Sequence, residues 1–388
     1  MQKLIAKQLV VKAGIALVES GLIARTWGNV SCRVDKDTFV ITPSGRAYET
    51  LKTEEIVLCR TEDCSYDGKI KPSSEKRLHA LIYQTYQEMN FVIHTHQKFA
   101  SVISALELSQ MPAQGFNMLG DGVPIAAYGL PGTKKLKKGV EAALKDNQGH
   151  AVILAHHGAL CYGKNYEEAF LAARQLEEAC ESFLRINYLM KSGEKEYDPL
   201  LRYQFYITQS GKGPAQMQKK VTEYYSSYRT PEGFVLQRTK EKVYRFTDPM
   251  PEEVLIHSMI YQKRKDINYI AQNKEPALVA LSCAGKKLKP YLDDFAQIVG
   301  VDVRCSKDGS PKACIRALRK RLGVLIPGAG ALCCAATRSD LQAVCIVMEK
   351  NAHTGIGAGI YQAAKTISRA ECFLMHFVYQ KSYSKKSG

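Results

Sequence analysis

The chain has 388 residues, of which 45% are hydrophobic and 24% are charged, and its formal net charge is +16. This length suits two domains of moderate size, and the composition is typical of a soluble globular protein with a sizeable core. No long uninterrupted apolar run occurs, so we expect no membrane-spanning helix and no membrane partner. The basic residues are dispersed and accompany no nucleic-acid motif. We therefore expect no nucleic-acid partner and interpret the positive charge as an attraction for anionic metabolites.

The N-terminal segment Met1–Arg25 has the spacing of an amphipathic helix and lacks the continuous apolar block and cleavage site of a signal peptide. The twelve cysteines are scattered and include no CxxC pair. This usage is typical of reduced thiols rather than disulfides, and it predicts a cytoplasmic protein.

Helix-like and strand-like segments then alternate along the first half of the chain. Short buried strands are predicted at Phe39–Thr42, Phe91–His96 and Ala151–Ala155. Helices are predicted at Glu75–Glu88 and Tyr166–Leu189. This alternation predicts an α/β domain over residues 1–189.

Residues 190–245 break the pattern, because they are rich in Lys, Gly, Tyr and Gln and contain Pro199, Pro214 and Pro231. Such punctuation predicts an irregular linker. Residues 246–388 then form a second predicted domain.

The second half repeats parts of the first in the same order. The matched segments are His79–Gln84 with His257–Gln262, Phe91–Lys98 with Leu278–Cys283, and Val152–Cys161 with Val324–Cys333. Two glutamates also recur, Glu75 as Glu253 and Glu177 as Glu349. The repetition predicts a duplicated domain whose second copy has diverged.

In this pairing three histidines are lost together: His94 matches Leu281, His96 matches Cys283, and His157 matches Ala329. Residues that disappear as a set while apolar positions persist indicate a shared task. We therefore predict that residues 246–388 are a degenerate, non-catalytic copy. His79, by contrast, recurs as His257, which favours a structural role for it.

His94 and His96 lie two residues apart in a predicted strand, so both imidazoles face the same side of the sheet. His157 ends another predicted strand, immediately before Gly158. Three neutral imidazoles leave one coordination position of a divalent cation open, as catalytic zinc requires. The pattern predicts a catalytic metal site.

Five motifs in order resemble those of the class II aldolase/adducin family, and within it the L-fuculose-phosphate aldolase type. They are Gly28–Ser31, Thr42–Gly45, Pro72–Glu75, His94–His96 and His156–Gly158. The resemblance covers roughly residues 1–188. It implies an α/β fold, a mixed-sheet sandwich flanked by helices, followed here by a degenerate aldolase-like domain. It also implies a homo-oligomer, since the family usually assembles as a fourfold ring.

The resemblance assigns His94, His96, His157 and Glu75 as ligands of one divalent metal ion in the N-terminal domain. Zn²⁺ is favoured, and Mn²⁺ or Co²⁺ also suits imidazole and carboxylate ligands. Glu75 would also be the catalytic base, although locally it resembles an ordinary glutamate at a helix start. Tyr128 would protonate the aldehyde oxygen across a subunit interface, or it is a packing tyrosine. His156 is interpreted as structural or as a support of the ligands.

The resemblance also implies a phosphate pocket built from hydroxyls, an amide and backbone N–H groups. Its residues would be Thr26, Gly28, Asn29, Ser44, Gly45, Ser73 and Ser74. Taken singly, each segment is ordinary turn or helix-cap chemistry. Together they predict a phosphorylated sugar as substrate.

The implied reaction is a reversible aldol cleavage of a ketose phosphate to dihydroxyacetone phosphate and an aldehyde, with the metal as Lewis acid. Family members with the same site are also epimerases, dehydratases or decarboxylases. The family's epimerases carry Asp at the position of Glu75, whereas its dehydratases carry Glu. An adducin-like binding protein without catalysis is the alternative from another class, but adducin-type domains lack the three histidines.

Overall fold

The computed structural model describes residues 1–23, 27–213, 225–238, 240–361 and 363–382. The chain divides into two compact units, Met1–Ile186 and Asn187–Gly388. Within the described part of the chain, no helix is both long and apolar enough to cross a membrane.

The first unit is built on one eight-stranded mixed sheet. Its strands are β1 (Asn29–Arg33), β2 (Thr38–Ile41), β3 (Val57–Arg60), β4 (Phe91–Thr95), β5 (Gln110–Pro112), β6 (Gly122–Ala126), β7 (Ala151–Leu154) and β8 (Gly158–Gly163). The order across the sheet is β3-β2-β1-β4-β8-β7-β6-β5, and the β6–β7 pair is parallel. The helices are α1 (Lys3–Glu19), α2 (Lys76–Thr85), α3 (Lys98–Ser104), α4 (Lys134–Leu144) and α5 (Tyr166–Ser192), the last running into the second unit.

Helices cover both faces of this sheet because its strands are apolar on both sides. Ser31 in β1 contacts His79 of α2, whereas the next residue, Cys32, contacts Met1 just ahead of α1. Successive side chains of a strand point to opposite faces, so α1 and α2 lie on opposite sides. The predicted mixed-sheet α/β fold is confirmed, and each helix and strand predicted in this unit is present with ends shifted by a few residues.

The second unit contains a seven-stranded mixed sheet. Its strands are β9 (Ser226–Arg229), β10 (Gly233–Gln237), β11 (Glu241–Arg245), β12 (Tyr269–Asn273), β13 (Arg304–Cys305), β14 (Gly323–Ile326) and β15 (Gly330–Ala335). The helices are α6 (Pro199–Gln209), α7 (Glu252–Lys263), α8 (Pro276–Cys283), α9 (Asp293–Ile298), α10 (Pro311–Leu318), α11 (Arg338–Tyr361) and α12 (Arg369–Ser382).

The two sheets have the same topology. The order β11-β10-β9-β12-β15-β14-β13 repeats that of the first sheet without β5, and its parallel pair, β13–β14, matches β6–β7. The strand registers agree as well. Ser31 pairs with Val92 in β1–β4, and their counterparts in the second unit, Ser227 and Ile270, pair with each other in β9–β12. The predicted duplication is confirmed.

One part of the predicted repeat alignment is wrong. Leu278–Cys283 does not form the counterpart of β4, because it lies in helix α8. The counterpart of β4 is β12, so Gln272 takes the position of His94 and Lys274 that of His96. A short apolar run suits a buried strand and a buried helix equally, and here a proline at the first turn starts a helix.

The match of His157 with Ala329 agrees with the structure. Leu154 pairs with Gly158 across the β7–β8 turn, and Ile326 pairs with Gly330 across the β14–β15 turn. His94, His96 and His157 are therefore all replaced in the second unit, although two of the replacing residues differ from those predicted.

The prediction of an irregular linker over residues 190–245 is also wrong in its described part. This stretch contains helix α6 and strands β9, β10 and β11 of the second sheet. Strand β11 buries a single side chain, so its sequence lacks a clear apolar pattern. Pro199 occupies the first turn of α6, where proline is tolerated, and Pro231 lies in the turn after β9, whereas Pro214 falls outside the described residues.

Candidate metal centre and active site

His94 lies near the end of β4, next to Asn29 of β1 in the sheet register, and its side chain is buried. Its Nδ1 atom is 2.9 Å from the carbonyl oxygen of Ala159 in β8. Because a carbonyl only accepts hydrogen bonds, Nδ1 carries the proton and Nε2 presents a lone pair. A neighbouring backbone oxygen thus orients the ring so that Nε2 is available to a metal ion.

The other two histidines converge on the same point. His96 Nε2 is 3.0 Å from His94 Nε2, and His157 Nε2 is 3.1 Å from it. His157 lies in the tight turn from β7 to β8, where its backbone N–H donates a hydrogen bond to the carbonyl of Leu154 at 3.0 Å. The ligand atoms of the three rings lie within 4.8 Å of one another, as binding of a single ion requires.

Glu75, immediately before α2, completes the group and is 7% exposed. Its Oε1 is 2.8 Å from His157 Nε2 and its Oε2 is 3.1 Å from His94 Nε2. Burial by itself would raise the pKa of this carboxyl, but the positive charge that the His94 and His157 rings carry when protonated, together with hydrogen bonds from His157 and Asn29, lowers it well below its usual value. Glu75 is therefore a carboxylate at neutral pH.

This donor set fits a divalent cation. Three imidazole nitrogens and one carboxylate oxygen are ligands that Zn²⁺, Mn²⁺ and Co²⁺ all accept. The lone pair of His94 Nε2 faces a carboxylate oxygen at 3.1 Å, an arrangement that a cation between the two atoms stabilises. Three or more His, Cys, Asp or Glu side chains that lie close enough to share an ion occur once among the described residues. This group is His94, His96 and His157.

Several residues predicted for the phosphate pocket lie beside this group. Asn29 Nδ2 donates to Glu75 Oε2 at 2.9 Å, and the N–H of Glu75 donates to Ser73 Oγ at 3.3 Å. The segments around Ser44 and Ser73 run side by side, because the N–H of Ser44 donates to the carbonyl of Lys71 and that of Ser73 to the carbonyl of Thr42.

The remaining predicted phosphate ligands have varied positions. Ser44, Gly45 and Ser74 are exposed to solvent, and Thr26 falls outside the described residues. Gly28 has a φ of 110°, and a Cβ atom there would lie 2.7 Å from the carbonyl oxygen of His94. Glycine is therefore required at this position for β1 and β4 to approach each other.

Tyr128 follows β6 and is half-buried. Its ring meets that of His156 edge to face, with centroids 5.3 Å apart, and the ammonium of Lys135 lies 5.9 Å from its centroid. His156 itself has a φ of 61°, in the left-handed region, where the second unit has Gly328 with a φ of 71°. The catalytic role of Tyr128 stays a prediction.

Glu177 supports the strand that carries the histidines, a role that the sequence did not reveal. Its carboxylate accepts the N–H groups of Phe99 and Ala100 at the start of α3, directly after β4, at 2.8 and 3.1 Å. Burial raises the pKa of this carboxyl, and the two backbone hydrogen bonds oppose that rise. Its recurrence as Glu349 was the one signal available in the sequence.

The corresponding place in the second unit has different chemistry. Gln272, Lys274 and Ala329 replace the histidines, and Tyr225 replaces Asn29. Glu253 keeps the position of Glu75, but its side chain is 51% exposed and lies 3.9 Å from Arg238. No metal-ligand group occurs among the described residues of this unit.

The first unit is a mixed α/β domain that brings three histidines at strand ends and a glutamate at a helix start to one point that could hold a metal ion. The sequence model of the class II aldolase and adducin N-terminal domain matches residues 8–184 and again residues 202–356. The chain belongs to the class II aldolase/adducin family, and the domain is present twice.

Individual relatives match just under half of the chain. L-fuculose phosphate aldolase of Haemophilus influenzae is 32% identical over 182 residues, 46% of this chain and 82% of its own length. The 5-deoxy-D-ribulose 1-phosphate aldolase of Bacillus thuringiensis is 31% identical over 44% of this chain and 80% of its own. An L-ribulose-5-phosphate 4-epimerase of Salmonella paratyphi B is 31% identical over 46% of this chain and 82% of its own.

Proposed function

We propose that the first unit is a divalent-metal-dependent aldolase that cleaves or forms a carbon–carbon bond in a small ketose phosphate. The products of cleavage would be dihydroxyacetone phosphate and an aldehyde. The observation that carries the proposal is the convergence of His94, His96, His157 and Glu75 on one point. Relatives named as aldolases of fuculose phosphate and 5-deoxyribulose 1-phosphate support the substrate class.

His94, His96 and His157 would hold the cation, with Glu75 as a fourth ligand. A bound divalent cation supplies Lewis acidity toward substrate oxygens. The Ala159 carbonyl keeps the His94 ring in the tautomer that presents Nε2.

Glu75 would transfer the proton at carbon. In cleavage, the C4 hydroxyl would lose its proton and the C3–C4 bond would break with its electron pair passing to C3. Glu75, which is ionised in the resting site, would first take up a proton from water and then deliver it to C3. In synthesis, the ionised carboxylate removes that proton from C3, and its lowered pKa keeps it ready to accept one. Tyr128 of a neighbouring subunit would exchange the second proton, with the C4 oxygen.

The phosphate would bind between the loop of Ser44 and Gly45 and the helix start at Ser73 and Ser74, with Gly28, Asn29 and Thr26 also contributing. Hydroxyls, an amide and backbone N–H groups are suitable donors for a phosphate. The proximity of Asn29 and Ser73 to Glu75 supports this placement, because a ketose phosphate must reach both the anion pocket and the base.

The test is release of dihydroxyacetone phosphate from candidate ketose phosphates by the full-length protein loaded with Zn²⁺, measured by a coupled NADH assay. L-Fuculose 1-phosphate and 5-deoxyribulose 1-phosphate are suitable substrates, because cleavage of the C3–C4 bond of a 1-phosphate leaves the phosphate on the three-carbon product. L-Ribulose 5-phosphate, which cannot give dihydroxyacetone phosphate, is the substrate that tests for 4-epimerisation. We expect turnover that disappears after chelation and returns with Zn²⁺. Full turnover in the chelated protein would contradict metal dependence.

Other products would indicate the rival activities. A 4-epimer formed without dihydroxyacetone phosphate would identify an epimerase, which Glu75 disfavours because the family's epimerases carry Asp at that position. A dehydrated ketose phosphate would identify a dehydratase. For the second unit we propose a non-catalytic role, because Gln272, Lys274 and Ala329 replace the three histidines.

A further inference from the structure

A chain of buried hydrogen bonds leads from the interior of the first unit to Glu75. Tyr83 Oη lies 2.7 Å from Ser31 Oγ, which lies 2.6 Å from His79 Nδ1. His79 Nε2 lies 2.5 Å from Asn29 Oδ1, and Asn29 Nδ2 lies 2.9 Å from Glu75 Oε2. All five residues are buried.

The donor and acceptor of every hydrogen bond in this series follow from the group at its end, the Glu75 carboxylate. The Glu75 carboxylate only accepts, so Asn29 must turn its amide N–H toward Glu75 and its Oδ1 toward His79. An amide oxygen also only accepts, which places the His79 proton on Nε2. In a neutral ring Nδ1 is then an acceptor, so Ser31 donates to it and Tyr83 donates to Ser31.

His79 is neutral at physiological pH, because burial, with a further contribution from His94, lowers its pKa from 6.5 to about 3. The hydrogen-bond chain therefore has one direction, from Tyr83 to Glu75. A doubly protonated ring would remove the acceptor that Ser31 needs.

We propose that His79 is a positioning residue for the metal centre: its Nε2–H holds the Asn29 amide, and that amide orients the Glu75 carboxylate toward the histidines and the substrate. The catalytic part of this inference rests on the aldolase function proposed above. It goes beyond the structural role that the sequence suggested for His79.

The second unit separates the structural role from the positioning role. There His257 Nδ1 lies 2.7 Å from Ser227 Oγ, which lies 2.7 Å from Tyr261 Oη. The inner hydrogen bonds, from the tyrosine through the serine to the histidine, are therefore kept. Tyr225 replaces Asn29, however, and His257 Nε2 has no hydrogen-bond partner among the described residues. The outer hydrogen bonds, from His79 through Asn29 to Glu75, thus occur in the unit that has the candidate metal ligands.

This duplication provides a matched control within one molecule. His79→Leu and His257→Leu remove the same buried ring from equivalent positions, so both should lower the melting temperature of their own unit. Only His79→Leu should lower kcat, by about 10- to 100-fold, as is typical when a partner of a metal ligand is removed. Only His79→Leu should alter the visible absorption spectrum of the Co²⁺-loaded protein, since it changes the position of Glu75.

Two milder comparisons keep the test informative if a leucine variant does not fold. Ser31→Ala removes the donor to His79 Nδ1 and should lower kcat several-fold, whereas the matched Ser227→Ala should not change it. His79→Gln keeps an amide N–H for Asn29 and should recover most of kcat.

Two results would overturn the proposal. One is unchanged kcat and an unchanged Co²⁺ spectrum in folded His79→Leu. The other is a loss in His79→Leu or Ser31→Ala that the matched variant of the second unit reproduces. If the unsubstituted protein shows no aldolase activity, the Co²⁺ spectrum still tests the positioning role, so the two proposals fail separately.

Discussion

Glu75 and Glu253 show how the same residue at equivalent positions acquires different chemistry. Glu75 is buried, accepts a hydrogen bond from Asn29 and contacts two imidazoles. Glu253 is half exposed, and its nearest charged partner, Arg238, is 3.9 Å away. An exposed pair of this kind is screened by water and contributes little. The surroundings, rather than the residue type, decide which of the two carboxylates can act as a base.

Replacing Glu75 with glutamine should therefore abolish most of the activity. The Glu75→Gln side chain has the same size but cannot take up a proton, so we expect kcat to fall by about 100-fold or more. Initial rates of dihydroxyacetone phosphate release measure the effect. Glu253→Gln is the matched control and should keep kcat within about twofold, since surface changes of this kind are nearly neutral. Equal rates in both variants would exclude Glu75 as the base.

His257 makes the second unit sensitive to acid. Burial, followed by the charge of Arg238, lowers the pKa of His257 from 6.5 to about 4. The other side chains around its ring, from Ser227, Tyr225 and Phe234, are uncharged at neutral pH. Between pH 6.5 and 4 the unfolded state binds a proton that the folded state does not, so stability decreases as the pH falls through this window.

At pH 5 the titration of His257 should lower the free energy of unfolding of the second unit by about 2 kcal/mol relative to pH 7.5. In His257→Leu the melting temperature of the second unit should change less between these two pH values than in the unsubstituted protein. Thermal denaturation followed by circular dichroism measures both. An identical pH dependence in the variant would show that His257 does not titrate between these states.

At the scale of strands, one glycine in each unit allows two strands to approach closely. A Cβ atom on Gly158 would lie 2.2 Å from the carbonyl oxygen of Thr95, and one on Gly330 would lie 2.3 Å from that of Asn273. These distances are far below van der Waals contact, and the obstructing atoms belong to the backbone. In the first unit the contact adjoins His94, so the approach of β8 to β4 also sets the position of a candidate metal ligand.

Gly158→Ala should consequently affect both stability and metal binding. We expect a loss of about 1–3 kcal/mol, as for other overpacked sites, because β4 must move. Zn²⁺ affinity, measured by competition with a chromophoric chelator, should fall with it. Gly330→Ala should destabilise the second unit and leave Zn²⁺ affinity unchanged. A Gly158→Ala protein with full affinity would show that β4 does not position His94 through this contact.

For the whole molecule, the duplication predicts one metal ion per chain rather than one per domain. The second unit keeps the sheet and the buried Ser227–His257–Tyr261 contacts but has no metal-ligand group among its described residues. Elemental analysis of the purified protein by mass spectrometry should give one divalent ion per chain. His157→Ala should lower that number substantially, and a value near two would show a second site.

Local patterns were sufficient to predict the first unit and the grouping of its three candidate metal ligands. His94 and His96 share a face because strand side chains alternate, and His157 was identified by its place at a strand end before glycine. These signals lie within a few residues of each other, so they are visible in the sequence. The resemblance to family motifs then added Glu75, which no periodicity could have assigned.

Tertiary contacts decided the rest. By its sequence Leu278–Cys283 suits a helix or a strand, but β12 takes the place beside β15 in the sheet and Leu278–Cys283 lies in α8. The hydrogen bonds from Ser31 through His79 and Asn29 to Glu75 join residues 46 to 50 positions apart. Such contacts form when packing excludes water and leaves each buried polar group only its neighbours in the fold as partners, so their direction is a property of the folded chain.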